Sequence, residues 1–229
     1  MSEPLPFQRA RRPEHVELRR AAIFAAARRT LSGRSVREVT LRDLAEHAGV
    51  AKSNVLRYFD SREAVFLELL VEEWESWLDQ LAARVQAEHD AAPANVESQA
   101  RRLASLLAET LSSRPVLCDL FAAMSIELET NVSLETARSF KRRAYSLNDR
   151  LAELIPRAAP LLTETAGAAI GRALIVTVAG LWPFANPNDI IAAAALESGN
   201  QLGTDRFEKD LGDITTALAI GFGAQCGDD

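Results

Sequence analysis

The 229-residue chain has only two cysteines, Cys118 and Cys226, too few and too far apart in sequence for a disulfide framework. A reduced, cytoplasmic setting is expected. Its three histidines, His15, His47 and His89, are scattered and make no His-x-x-x-His or Glu-x-x-His spacing, so no metal site is expected. Glycine is sparse where a phosphate loop would need it: Gly221-Phe222-Gly223 has no strand-turn-helix setting. Cys118 has no base partner in its vicinity and reads as a buried structural thiol. Catalysis and a cofactor are therefore not expected. No apolar h-region opens the chain, and the longest apolar stretch, 166–184, is interrupted by Arg172 and meets Pro183, so a place inside a protein bundle is expected for it and not a membrane span. Strand-like alternation, internal repeats and low-complexity tracts are also missing, which leaves an all-α chain.

What is present is an uneven charge on an ample core. Hydrophobic residues make up 48% of the chain, enough for one large or two small domains. Residues 1–62 hold 13 Lys and Arg against 7 Asp and Glu, a balance of +6, while residues 63–229 hold 13 against 25, a balance of −12. The overall −6 hides a basic first quarter, as in proteins with one end for nucleic acid and another end for something else. The division expected from charge is thus residues 1–62 for nucleic acid and residues 63–229 for another role.

Residues 40–62 read TLRDLAEHAGVAKSNVLRYFDSR. Thr40 can cap the amides that follow while Asp43 reaches back, so a helix is expected from Leu41. Leu41, Leu44, Ala45 and Ala48 fall on one face of it, and Gly49 then suits a left-handed C-terminal cap. Val50 is the expected buried pivot of the turn. In the second helix Val55 and Phe59, with parts of Leu56 and Tyr58, form the apolar stripe, which leaves Lys52, Ser53, Asn54 and Arg57 for phosphate oxygens and base edges. That is a helix-turn-helix, whose second helix enters the major groove of DNA. A helical adaptor that binds protein and not DNA is the alternative.

Further helices are expected at Glu14–Leu31, Arg62–His89, Val96–Ser113, Pro115–Thr130, Ser133–Arg157, Thr163–Ala185, Asp189–Glu197 and Asp205–Ala224. The helix from Arg62 spans about 40 Å at 1.5 Å per residue, long enough to link a DNA-binding head to the body. Before the first helix lies a basic arm with Arg9, Arg11 and Arg12, of a kind that reaches across phosphates. Near the end, Gly167 and Gly171 recur at four-residue spacing beside Leu174, Ile175 and Val178, and Leu211, Ile214, Leu218 and Phe222 make a seam on the final helix. Specific binding by a helix-turn-helix normally uses two copies about 34–36 Å apart, so these last two long helices are expected to form a homodimer interface that reads a palindromic operator.

The run LRDLAEHAGV, then AKSNVLRYF, then DSREAVFLELL resembles the DNA-binding end of the TetR family of transcriptional regulators, over about residues 14–70. Two positions depart from the family pattern: Leu56 stands where a tyrosine is usual, and Arg62 where a lysine is usual. The resemblance implies that Thr40, Arg42, Leu56, Tyr58 and Arg62 join Lys52, Ser53, Asn54 and Arg57 at the DNA, with Leu56 on a thymine methyl or sugar in place of a hydroxyl-to-phosphate contact. It also implies the same pair of helices as the dimer interface. The body should then enclose a pocket for a small, uncharged, largely apolar effector, with Trp74, Cys118, Phe121, Met124, Tyr145, Asn148 and Trp182 as candidate lining residues. Repression is the family's usual outcome.

Overall fold

Side chains that accept hydrogen bonds from the first free amides set the starts of several helices. Asn95 accepts from the Ser98 amide at 2.8 Å, and Ser133, Thr163 and Asn188 accept from the amides of Thr136, Ala166 and Ile191 at 3.1 Å each. The computed structural model describes residues 13–87 and 95–225, all of whose regular structure is helical. The helices are α1 (Pro13–Leu31), α2 (Leu41–His47), α3 (Lys52–Val55), α4 (Arg62–Ala87), α5 (Val96–Ser112), α6 (Pro115–Ala123), α7 (Leu134–Ala158), α8 (Glu164–Ala185), α9 (Asp189–Glu197) and α10 (Thr204–Gln225). A single 3₁₀ turn, Val36–Glu38, precedes α2. The basic arm expected at residues 1–12 lies outside the described residues, as does His89.

The head is built on the first half of α4. Ile23, Phe24 and Ala27 of α1, Leu44 and Ala45 of α2, and Val55 and Phe59 are buried with Phe66, Leu67 and Leu70 of α4. Phe24 and Phe59 meet with ring centroids 5.5 Å apart, and the Arg20 guanidinium covers Phe59 at 4.6 Å while pairing with Glu68. One turn further along α4, Arg28 pairs with Glu72 at 2.8 Å and Glu73 at 2.5 Å. Head packing therefore runs well past residue 62.

In the body α7 lies parallel to α4, held by Asp79–Arg150 at 2.6 Å and Glu75–Arg143 at 3.2 Å. α6 is central: Leu117, Cys118, Leu120 and Phe121 are fully buried. The single helix expected at Pro115–Thr130 is in fact α6 followed by a wider π turn, Met124–Leu128, in which the Glu129 amide reaches the Met124 carbonyl at 3.1 Å.

A second correction concerns Gly167 and Gly171. Their face is not open to a second subunit but packs antiparallel on α7 of the same chain. A Cβ at Gly167 would stand 2.8 Å from the Ala152 carbonyl oxygen, and one at Gly171 would stand 3.5 Å from Leu151. On α10, Phe207, Leu211, Thr215 and Ala219 are likewise buried inside the chain, so Leu211 leaves the expected seam, while Ile214 is exposed and Leu218 and Phe222 are half-buried. By length and composition α8 could cross a membrane, with a mean hydropathy of 1.6 over its most apolar window. Here its Trp182 packs edge-on to Phe207 of α10, centroids 5.0 Å apart. Pro183 lies within the last turn of α8 and does not end it.

Candidate nucleic-acid interface

The helix-turn-helix assembles from local bonds. The Thr40 hydroxyl accepts from the Asp43 amide at 3.2 Å, and the Asp43 carboxylate accepts from the Thr40 amide at 2.7 Å, closing the capping box read from the sequence. These bonds hold the Asp43 carboxyl below the usual carboxylate range. α2 ends with the Ala48 amide on the Leu44 carbonyl at 3.0 Å, and Gly49 follows at φ +65°. A side chain there would be strained, which is why glycine suits the turn. The Val50 amide then closes on the Ala45 carbonyl at 3.0 Å, and the Val50 side chain is half-buried, less covered than the pivot expected.

That turn aims α3 outward. Lys52, Ser53, Asn54 and Arg57 are all exposed, while Val55 and Phe59 on the other side are buried. The regular helix is only four residues long and continues as turns through Tyr58. Leu56 is 46% exposed, an apolar side chain on the outward surface and only loosely part of the stripe. Tyr58 is half-buried, and Thr40 and Arg42 are exposed at the start of α2. Arg42 pairs with Glu46 at 2.7 Å, a solvent-exposed i,i+4 pair that a phosphate can displace at little cost.

Arg62 is placed differently from expectation. Its guanidinium donates to the Val39 and Val36 carbonyls at 2.9 and 3.2 Å, to Glu127 at 2.5 Å and to Glu63 at 2.9 Å, and its side chain is 17% exposed. With its donors committed inward, Arg62 is a clamp and not a free phosphate ligand. It joins the 3₁₀ turn before α2, the start of α4 and the π turn after α6. Asp119 of α6 completes the joint by accepting from the Val36 amide at 2.9 Å, and burial pushes its carboxyl up from the usual range against the pull of that amide. On the far side of α4, Asp60 accepts from the Ser133 hydroxyl and, at 2.6 Å, from the Thr136 hydroxyl, which holds its carboxyl low. Sequence reading misses this joint, because all its partners but the adjacent Glu63 lie 23 to 83 positions apart.

The candidate effector residues do not all converge. Trp74 and Phe121 meet edge-on at 4.9 Å, and Cys118 lies one turn before Phe121, fully buried, its thiol donating to the Leu111 carbonyl. Burial pushes that thiol well up from its ordinary value. Met124 is half-buried where the π turn begins, Trp182 packs on Phe207, and Asn148 is half-buried on α7. Tyr145 is a correction: it is 65% exposed on the outer face of α7 and lines no interior site. A cleft of about 550 Å³ opens elsewhere, between the head and α7, with Tyr58, Asp60, Leu67, Val71, Phe140 and Arg143 among its walls.

Comparison with known proteins agrees with this arrangement. Residues 23–69 match the model of "Bacterial regulatory proteins, tetR family", and residues 71–225 match that of "Tetracyclin repressor-like, C-terminal domain". The chain is 37% identical to the HTH-type transcriptional regulator RutR of Escherichia coli K12 over 73 residues, 32% of this chain and 34% of RutR. It is 33% identical to EthR of Mycolicibacterium smegmatis over 101 residues, 42% of this chain and 43% of EthR. These alignments thus span a third to under a half of each relative's length. Among solved structures, the fold is similar to Thermus thermophilus FadR, described as a transcriptional repressor in complex with lauroyl-CoA, with a TM-score of 0.54 and 21% identity over 89% of this chain and 94% of that one. It is also similar to a TetR regulator from Rhodococcus sp. RHA1, with a TM-score of 0.52 and 16% identity over 89% and 96%. With both family models in chain order and together reaching from α1 to α10, the chain belongs to the TetR family of bacterial transcriptional regulators.

Proposed function

We infer that this protein is a ligand-responsive DNA-binding regulator, in the usual case a repressor that leaves a palindromic operator when a small molecule binds its body. The observation that carries the reading is the second helix of the helix-turn-helix, which exposes Lys52, Ser53, Asn54 and Arg57 beyond a turn set by Gly49. Arg57 and Lys52 suit guanine edges or phosphates, and Asn54 suits adenine. Leu56 fits a thymine methyl, and Thr40, Arg42 and Tyr58 flank the helix where phosphates run. Arg62 serves this function indirectly, by fixing how the head sits on the body. The division of labour proposed is residues 1–62 for DNA contact and 63–229 for effector and dimer, with the start of α4 also packed under the head. The protein acts by binding in the cytoplasm and not by catalysis, in keeping with a family of regulators.

A homodimer is supported by what the chain leaves uncovered. The outward face of α8 shows Val176 at 73% and Phe184 at 81% exposure with Gly180 between them, α9 adds Ile190, Ile191 and Leu196, and α10 adds Ile214. An exposed apolar face on this scale marks an association surface. The interface proposed is therefore the outer side of α8 and α10, and not the Gly167 side. An effector site is supported by two buried polar atoms with no partner among the described residues, Trp74 Nε1 and Asn148 Oδ1. Leaving such a group unpaired costs about 1–3 kcal/mol, so an uncharged and mostly apolar molecule gains affinity by accepting from Trp74 or donating to Asn148.

Selection of bound duplexes from a random pool tests the reading and is expected to return a two-fold symmetric site. Lys52→Ala, Asn54→Ala and Arg57→Ala should each weaken that complex by about 1–3 kcal/mol at moderate salt without loss of fold, since all three side chains are exposed. Undiminished binding by all three favours the adaptor alternative.

A further inference from the structure

The body is acidic, yet one flank of α7 is not. Arg138, Arg142 and Tyr145 recur at four- and three-residue spacing on one exposed face, with Lys141 beside them and Tyr145 65% exposed. Lys141 is held by Glu129 at 2.7 Å, and the neighbouring Arg143 and Arg150 are paired with carboxylates of α4. Arg138 and Arg142 have no acidic partner among the described residues. The shallow depression they line has Glu135 as its carboxylate against three cations.

The position of this flank relative to the head suggests its use. α7 begins against the head, where Ser133 and Thr136 donate to Asp60, six residues past Asn54. From Thr136, the stretch from Arg138 to Tyr145 extends from about 3 Å to about 14 Å along the helix axis. Glu135 and Ser139 border both this depression and the head-to-α7 cleft that Tyr58 lines, so the two surfaces are continuous. Residues 63–229 carry a balance of −12, and such a body repels a duplex held by the head. Two unpaired guanidiniums on the part of the body joined to the head offset that repulsion where it is strongest.

We propose that Arg138 and Arg142 form a ledge on α7 that contacts the phosphates of duplex DNA flanking the half-site read by α3. This rests on the DNA-binding reading above and extends the footprint from the head onto the body. Guanidiniums suit phosphate because their planar donor fork matches its oxygens, and they do so without base preference. Tyr145 stands beside them as a further donor, Lys141 is engaged by Glu129, and Glu135 opposes the approach.

The test titrates the full-length protein against two labelled mixed-sequence duplexes across a range of salt. One just spans two half-sites about 34–36 Å apart, and the other carries an extra helical turn on each flank. The Arg138→Ala, Arg142→Ala double variant should bind the longer duplex more weakly, and its slope of log affinity against log salt should fall by about 0.9 per lost phosphate contact. The shorter duplex should be little affected, Glu135→Gln should bind the longer one more tightly, and the double lysine variant should retain most of the slope. Wild-type binding with a slope unchanged in the double alanine variant overturns this proposal alone and leaves the flank to an acidic protein surface. A wild-type protein that ignores both duplexes overturns the DNA-binding reading and this proposal with it.

Discussion

Arg62 shows how a single side chain changes role when its surroundings are known. At the sequence level it is one more cation at the end of a DNA-reading motif. In the fold its four donor contacts go to Val36, Val39, Glu63 and Glu127, and a guanidinium so engaged has little left for a phosphate. Arg62→Met leaves two carboxylates and two carbonyls short of a donor at once, and the expected cost is about 2–3 kcal/mol, or a melting point lower by roughly 5–10 °C for a chain of this size. Thermal unfolding followed by circular dichroism measures it. The salt slope of duplex binding should stay the same in that variant. A changed slope with an unchanged melting point would return Arg62 to the DNA. Lys52, Asn54 and Arg57, by contrast, are as exposed as their alternation with Val55 and Phe59 requires, because a short helix on a greasy core leaves them nowhere else to point.

Among the elements, α8 carries small residues on two faces with different uses. Gly167 lets α8 approach α7 until its missing Cβ would touch the Ala152 carbonyl oxygen, whereas Gly180 has open space around it. Gly167→Ala must push the helices apart and is expected to destabilise by about 1–3 kcal/mol, seen as a lowered melting point. Gly180→Ala keeps the protomer's packing and gains helix propensity of up to about 1 kcal/mol. Equal effects of the two substitutions would mean that the α7–α8 contact is looser than it is drawn here. Four-residue spacing of glycines identifies a face of close approach, but the identity of the neighbour depends on which helix packs best against that face. For α6 the sequence pattern holds only as far as Ala123; the π turn that follows brings Glu127 to Arg62 and Arg37, an outcome of the joint and not of local propensity.

At the scale of the whole molecule, α8 and α9 leave large apolar side chains uncovered at Val176, Phe184, Ile190, Ile191 and Leu196. If a second copy covers them, a charge placed there is fatal to association and harmless to the protomer. Val176→Asp combined with Phe184→Asp should sediment as a monomer while keeping its helical signal, and should lose the tight operator binding that needs two heads. A dimer that survives both changes would place the interface elsewhere. The proposed effector control belongs to this scale as well. The long α4 runs from the Arg62 joint, past Trp74, to Ala87, so a ligand that rearranges the packing around Trp74 acts on the helix that carries the head. Couplings of about 1–3 kcal/mol are typical of such transmission.

Features settled by bonds within a turn or two were determined by the amino-acid sequence alone. The Thr40 cap, the left-handed Gly49 and the all-helical class depend on neighbours no more than a few residues away, and the stripe of Val55 and Phe59 already marks which side of α3 turns outward. The tertiary structure decided what depends on distant partners: Arg62 as a clamp, the Gly167 face turned inward onto α7, and Tyr145 turned out to solvent. The physical reason is that a helical pattern specifies which side chains share a face, while the burial, pairing or exposure of that face is settled only when the other helices compete to cover it.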